Sequence, residues 1–135
     1  MASGIPAAAK ERFLAGELLE AHTYHSALFT SSWSEATTVY NTTNECPGTG
    51  NYTQGGVAMT GWTVSISGSK AIIDAADVQW ANLTATFKYV VIYDNTHASD
   101  AIVAYFDVGS QSVTSTTVNI IWPTANDSSA MIRFA

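Results

Sequence analysis

A single-domain antiparallel β-sandwich with a short N-terminal helix is the fold class this sequence predicts. Three observations lead there. Apolar residues alternate with Ser and Thr in short runs, Gly, Asn, Asp and Pro break those runs at close intervals, and only one stretch, near the N-terminus, has helical composition. The segment at positions 1–22 reads as an N-terminal arm and helix, and positions 23–135 read as the sandwich domain.

The helix is expected over Ala7 to Leu19. Pro6 suits a first helical position, and the residues after it are good helix formers. Phe13, Leu14 and Leu18 form a short apolar stripe, and Gly16 is where the helix should stop or bend. A helix this short is marginal alone and must lie against a sheet or a neighbouring subunit.

From Thr23 onward the pattern is β. Tyr24 to Phe29 is the first strand, and Ser31 to Gly50 is a long polar loop of the kind that usually carries function. Val57 to Thr60, Trp62 to Ser67 and Lys70 to Ile73 follow, the last two as a hairpin through Gly68-Ser69, because Trp62, Val64 and Ile66 alternate with Thr63, Ser65 and Ser67. Asp77 to Trp80 is short. Thr84 to Tyr93 is the most apolar stretch, and its centre, Tyr89-Val90-Val91-Ile92-Tyr93, predicts a strand buried on both faces. A turn at Asp94-Asn95-Thr96 leads through His97 to Asp100 into Ala101 to Asp107; Thr117 to Trp122 and Ala130 to Phe134 complete the set. Roughly eight or more short strands at this spacing make a sandwich, with jelly-roll and immunoglobulin-like connections both compatible.

The chain has 135 residues, enough for one domain that folds without a disulfide or metal. Its single cysteine, Cys46, has no intrachain partner. Charged residues are only 12% of the chain, net charge is −6, and the five basic residues are scattered, so neither nucleic acid nor an anionic membrane is an expected partner. No apolar run reaches the roughly 20 residues that span a bilayer. Lys10, Glu11 and Arg12 interrupt the only stretch that resembles a leader, so synthesis in the cytosol is expected, and the four N-x-Ser/Thr sequons at Asn41, Asn51, Asn82 and Asn126 read as chance.

Catalytic signatures are missing: there is no Gly-x-Ser-x-Gly, His-Glu-x-x-His or phosphate-binding glycine loop, so no catalytic, cofactor-binding or metal residue is expected. His22 and His25 are three apart but lack further ligands, and they suit capping or an interface. Cys46 before Pro47 reads as a structural thiol. Asp74 and Asp77 could form an acid/base pair or begin a calcium site, yet Asp-Ala-Ala-Asp between strands also makes a polar turn. Gly48, Gly50, Gly55 and Gly56 suit tight turns. Trp62 and Trp122 alternate as core or interface residues, whereas Trp33, Tyr40 and Tyr52, in or just beyond the long loop, are the aromatic candidates for contact with a partner, including stacking on sugars.

Taken in order, the quoted segments resemble a family of small structural proteins of tailed bacteriophages. They are Ala9-Lys10-Glu11-Arg12-Phe13-Leu14-Ala15-Gly16-Glu17-Leu18, Ala27-Leu28-Phe29-Thr30, Asn44-Glu45-Cys46-Pro47-Gly48-Thr49-Gly50, Thr60-Gly61-Trp62-Thr63-Val64, Asp74-Ala75-Ala76-Asp77-Val78-Gln79-Trp80, Val91-Ile92-Tyr93-Asp94, Ala104-Tyr105-Phe106-Asp107, Val118-Asn119-Ile120-Ile121-Trp122 and Ile132-Arg133-Phe134-Ala135. The resemblance spans nearly the whole chain as a pattern of strands and turns. It implies a non-enzymatic virion component, made in the host cytoplasm and placed on the head surface. Such a capsid decoration (cement) protein bridges major capsid proteins as a homo-oligomer, commonly a trimer. A head-tail or tail protein and a carbohydrate-binding tail-tip module are the alternatives. The expected interface residues are Phe13, Leu14, Leu18, Trp33, Tyr40 and Tyr52.

Overall fold

The structure, a computed structural model, describes residues 4–126 and 128–134. Met1 to Ser3 of the N-terminal arm, Asp127 within the Asn126 sequon, and Ala135 lie outside the described residues. Helix α1 (Ala7–Leu14) is followed by β1 (Tyr24–Phe29), β2 (Val57–Ala58), β3 (Thr63–Ser67), β4 (Lys70–Asp74), β5 (Val78–Asp94), β6 (Ile102–Ile120) and β7 (Ile132–Phe134). Two antiparallel sheets result, one of order β2-β1-β5-β6 and one of order β3-β4-β7. The chain is therefore mostly β with one short helix, as its sequence predicts. The four-plus-three division is that of an immunoglobulin-like constant domain, but the strand order is its own.

Pro6 caps the helix rather than opening it, with φ −58° and ψ 151°. At the other end Gly16 takes φ +76°, where a Cβ would be strained. The amide of Glu17 bonds the Arg12 carbonyl at 2.9 Å and that of Gly16 bonds Phe13 at 3.2 Å, the paired closure of a Schellman motif. The helix thus ends at Leu14, five residues before the expected Leu19, and Leu18 enters the core from the turn that follows.

The larger correction concerns strand number. Four expected strands merge into two: β5 runs 17 residues through the Ala81–Leu83 region, and β6 runs 19 through Gly109 and the Ser-rich stretch. The expected breaks are bulges instead. Asn82 (φ +50°), Gly109 (φ +75°) and Ser115 (φ +45°) bend the ladder, and the register shifts between Trp80 and Leu83, between Leu83 and Ala85 and between Phe87 and Tyr89. An extra residue in a left-handed conformation gives the same sequence signature as a turn, yet it leaves pairing intact on both sides.

The centre of the four-stranded sheet, β1 with the adjoining halves of β5 and β6, is buried on both faces. One face places Tyr24, Leu28, Val90 and Ile92 against Ile73 of β4, Ile132 of β7 and Leu18. The other carries Ala27, Phe29, Tyr89, Val91 and Tyr93, covered by Trp33 and Tyr40 from the connection between β1 and β2. Tyr89 to Tyr93 is accordingly buried throughout, as its continuous apolar run requires. Each large side chain so enclosed contributes about 1.5–3 kcal/mol.

Candidate functional site

Two places in the molecule invite a functional reading: a buried carboxylate cluster and an uncovered apolar surface. The cluster centres on Glu45, itself buried. Its Oε1 accepts the Tyr40 hydroxyl, and its Oε2 accepts the Tyr52 hydroxyl and the Gly55 amide, the last at 2.8 Å. Tyr52 Oη in turn accepts the Leu28 amide at 3.0 Å, which ties the loop to β1. Tyr93 stacks on Tyr40 with centroids 4.3 Å apart and donates to the Gly55 carbonyl at 2.6 Å. These polar groups satisfy one another and the backbone, which is what low-polarity surroundings demand.

This arrangement corrects the reading of the loop aromatics. Trp33 is only 4% exposed and Tyr52 2%, so neither ring is open to a partner or a sugar face. Trp33 packs on Phe29, Tyr89 and Tyr105, with centroids 5.3–6.0 Å away. Tyr40 is half-buried against the same sheet face. The reason is topological: the second apolar face of the four-stranded sheet needs a cover, and the long connection supplies it. Sequence periodicity marks that face but not what lies over it.

The same network sets how the tyrosines titrate. Burial, then Glu45, pushes Tyr93 up to about 12, and both influences hold Tyr40 and Tyr52 above the ordinary phenol range. Burial, then Asp94, raises Tyr24 as well. Below about pH 10 the folded and unfolded chains hold these protons equally. Above it the unfolded chain releases protons that the folded chain keeps, so stability falls as pH rises from about 10 toward 12. Phenolate absorbance followed with circular dichroism checks this: Tyr24, Tyr40, Tyr52 and Tyr93 should ionise only as the fold is lost. Reversible ionisation of these four near the ordinary phenol value, with the fold retained, would contradict it.

The remaining candidate chemical residues are separated. His22 Nδ1 pairs with the buried Asp94, whose Oδ1 also accepts the amides of Thr96 and His97 at 2.9 and 3.1 Å. His25 instead lies beside the Gly55 carbonyl, so the two imidazoles serve different partners. Asp77 Oδ1 accepts the Trp122 amide at 2.9 Å, a backbone-holding role. Cys46 is fully buried; desolvation raises its thiol to about 11, and its Sγ donates to the Thr86 carbonyl. Among the described residues no group of three or more His, Cys, Asp or Glu is placed to hold a metal ion.

The apolar surface is built differently. Val64, Ile73 and Ile132 stand in register across β3, β4 and β7, as do Ile66, Ala71 and Phe134. In-register residues share a sheet face. Ile73 and Ile132 are buried in the core, but Val64 is 47% and Ile66 80% exposed, so the inner face of this sheet overhangs the core. At its rim Phe13 packs edge-on against Phe134 with centroids 5.2 Å apart, while Leu14 is 91% exposed and Leu19 also faces solvent. A groove between Leu18, Leu19, Trp62, Val64 and Phe134 joins the two sides, and Glu20 beside it accepts the Val64 amide at 2.6 Å.

No family model matches the chain, and no curated protein or solved structure does. The likeness to phage structural proteins therefore rests on the quoted segments alone. Of the six expected interface residues, the fold places Phe13, Leu14 and Leu18 together at this rim, with Leu14 outermost, and turns Trp33 and Tyr52 inward. Val64 and Ile66 were missed as surface residues. Their alternation with Thr63, Ser65 and Ser67 puts them on one face of the hairpin, but periodicity cannot say that the opposite layer stops short of them.

Proposed function

We propose that the chain is a virion structural protein, a decoration protein that stabilises a phage head by bridging major capsid proteins as a homo-oligomer. The observation that supports this most is the overhanging inner face, where Val64, Ile66, Leu14 and Leu19 lie uncovered beside a packed core. Apolar side chains left uncovered beside a packed core are what an association site presents. The small number of charges means that little ionic desolvation opposes docking. Repeated over many copies on a lattice, a modest interface adds up to substantial reinforcement of the shell.

Deleting the N-terminal segment is a poor test, because Ala9 and Leu18 belong to the core. Leu14→Asp combined with Ile66→Asp is the better one. Both side chains are exposed, so folding stability should change by no more than about 0.5 kcal/mol each. Binding to purified heads lacking the protein should weaken by roughly 30-fold or more, given about 1 kcal/mol or more per lost apolar contact. Wild-type protein that ignores such heads would refute the proposal, and unchanged binding by the double variant would refute this surface. Location on a tail would appear as labelling of tails rather than heads. The carbohydrate reading loses its support, since Trp33 and Tyr52 are enclosed.

A further inference from the structure

Strand β6 occupies an outer position in its sheet. One side pairs with β5 along its length. On the other side Gly4 and Tyr105 exchange both backbone hydrogen bonds, each at 3.0 Å. The Tyr105 N–H and C=O therefore point away from β5, and alternating residues of a strand repeat that direction. Beyond this bridge, from Val108 to Ile120, no other described strand lies alongside. That stretch is about 40 Å of open edge.

Folded proteins usually guard such an edge with Lys, Pro, inward charges or bulges. Here Val108 to Trp122 contains no charged residue and no proline. The bulges at Gly109 and Ser115 bend the edge, but Gln111, Ser112 and Val113 remain in regular register with Phe87, Thr86 and Ala85. The edge is thus able to accept a further strand, and Gly4 already does so at its inner end.

We propose that this edge pairs with the same edge of a second copy of the chain, antiparallel, about a two-fold axis at Val113. Three observations select this occupant. The stretch at the axis nearly mirrors itself: Val113 would face Val113 of the other copy and Ser112 would face Thr114, with the hydroxyl residues Ser110 and Thr116 beyond the bulged positions on either side. Hydroxyl side chains then meet hydroxyl side chains and valine meets valine, the pairings that stabilise antiparallel strands. Secondly, the chain carries a net charge of −6, and this charge-free run lets two copies approach without like charges meeting at the seam. Thirdly, Phe87, Val113, Val118 and Ile120 line an open groove on one face of the same strands, with Ile121 74% exposed at its end. Pairing brings the two grooves side by side and turns two four-stranded sheets into one. A strand joined to its own copy closes after two chains. The assembly is therefore a dimer, in contrast to the trimer that the phage resemblance implies, and it does not depend on the decoration reading.

Light scattering and sedimentation of the purified full chain test this across micromolar concentrations. The mass should be that of two chains, and Thr114→Lys, at an exposed position, should raise the dissociation constant at least tenfold with unchanged circular dichroism. A second variant keeps the test independent of stability. The native thiol Cys46 is buried, so Val113→Cys places one accessible thiol on the axis, where opposed strand residues are close enough for a disulfide. Mild oxidation should convert it to a covalent dimer far faster than Ser69→Cys on the β3–β4 turn. A single-chain or three-chain mass, an unaffected Thr114→Lys variant, or equal cross-linking of the two cysteine variants would overturn the proposal.

Discussion

Glu45→Ala is expected to destabilise the fold by about 4 kcal/mol, because hydrogen bonds to a buried charged acceptor are each worth about 1.5–3 kcal/mol and their loss strands the donors. Glu45 receives the hydroxyls of Tyr40 and Tyr52 and the amide of Gly55. Of these donors, the Tyr40 side chain is only half-buried and can turn to water. Tyr52 is enclosed and also holds the Leu28 amide, so its orientation is fixed from two sides. Glu45→Gln should cost less than Ala but still destabilise, since its amide group brings a donor to a place that already supplies donors. Urea unfolding of Glu45→Ala, Tyr52→Phe and the double variant measures the coupling. The double variant should lose clearly less than the sum of the singles. Simple additivity, or a cost below about 1 kcal/mol for Glu45→Ala, would mean that the cluster does not act as a unit.

Gly56→Ala should be at least as damaging, for a reason unrelated to polarity. Gly56 has φ +79°, and a Cβ there would stand 1.9 Å from the Ser26 carbonyl oxygen and 2.6 Å from its carbon. Ser26 lies in β1, which is flanked by β2 and β5 and enclosed on both faces, so it cannot retreat. The expected cost is about 4 kcal/mol or complete loss of folding, in the class of strain imposed at a special backbone position. Gly16→Ala is the control. Gly16 has nearly the same φ, +76°, but nothing within 4 Å of an added Cβ, so only conformational strain applies and about 1 kcal/mol is expected. Comparing the two melting temperatures separates steric conflict from backbone preference. Equal losses would show that the close approach to β1 is not what makes Gly56 necessary.

Much of the candidate surface was only half legible in the sequence. Phe13, Leu14 and Leu18 are recognisable as an apolar stripe, and they do gather at one rim of the molecule. Yet their exposures diverge, because the Schellman turn at Gly16 lets Leu18 fold inward while Leu14, on the last helical residue, stays outside. Trp33 and Tyr52 lie among polar loop residues, a context that suggests exposure. They are buried because a sheet with two apolar faces draws in whatever aromatic side chains its connections offer. The Glu45 cluster left no local sign at all: its three donors come from positions 40, 52 and 55, and only the fold of the loop aims them at one carboxylate.

The sequence by itself determined the class of fold, the helix with its glycine stop, the first strand, the β3–β4 hairpin and the double-sided burial of Tyr89 to Tyr93. All of these depend on periodicity, backbone preference and turn chemistry acting within a few residues. Tertiary structure alone decided that bulges at Asn82, Gly109 and Ser115 would join strands rather than end them, and that Val64 and Ile66 would project past the core. It also decided that β6 would stand at an outer edge. Alternation along a chain specifies which side chains share a face, whereas burial depends on what a distant segment brings opposite that face.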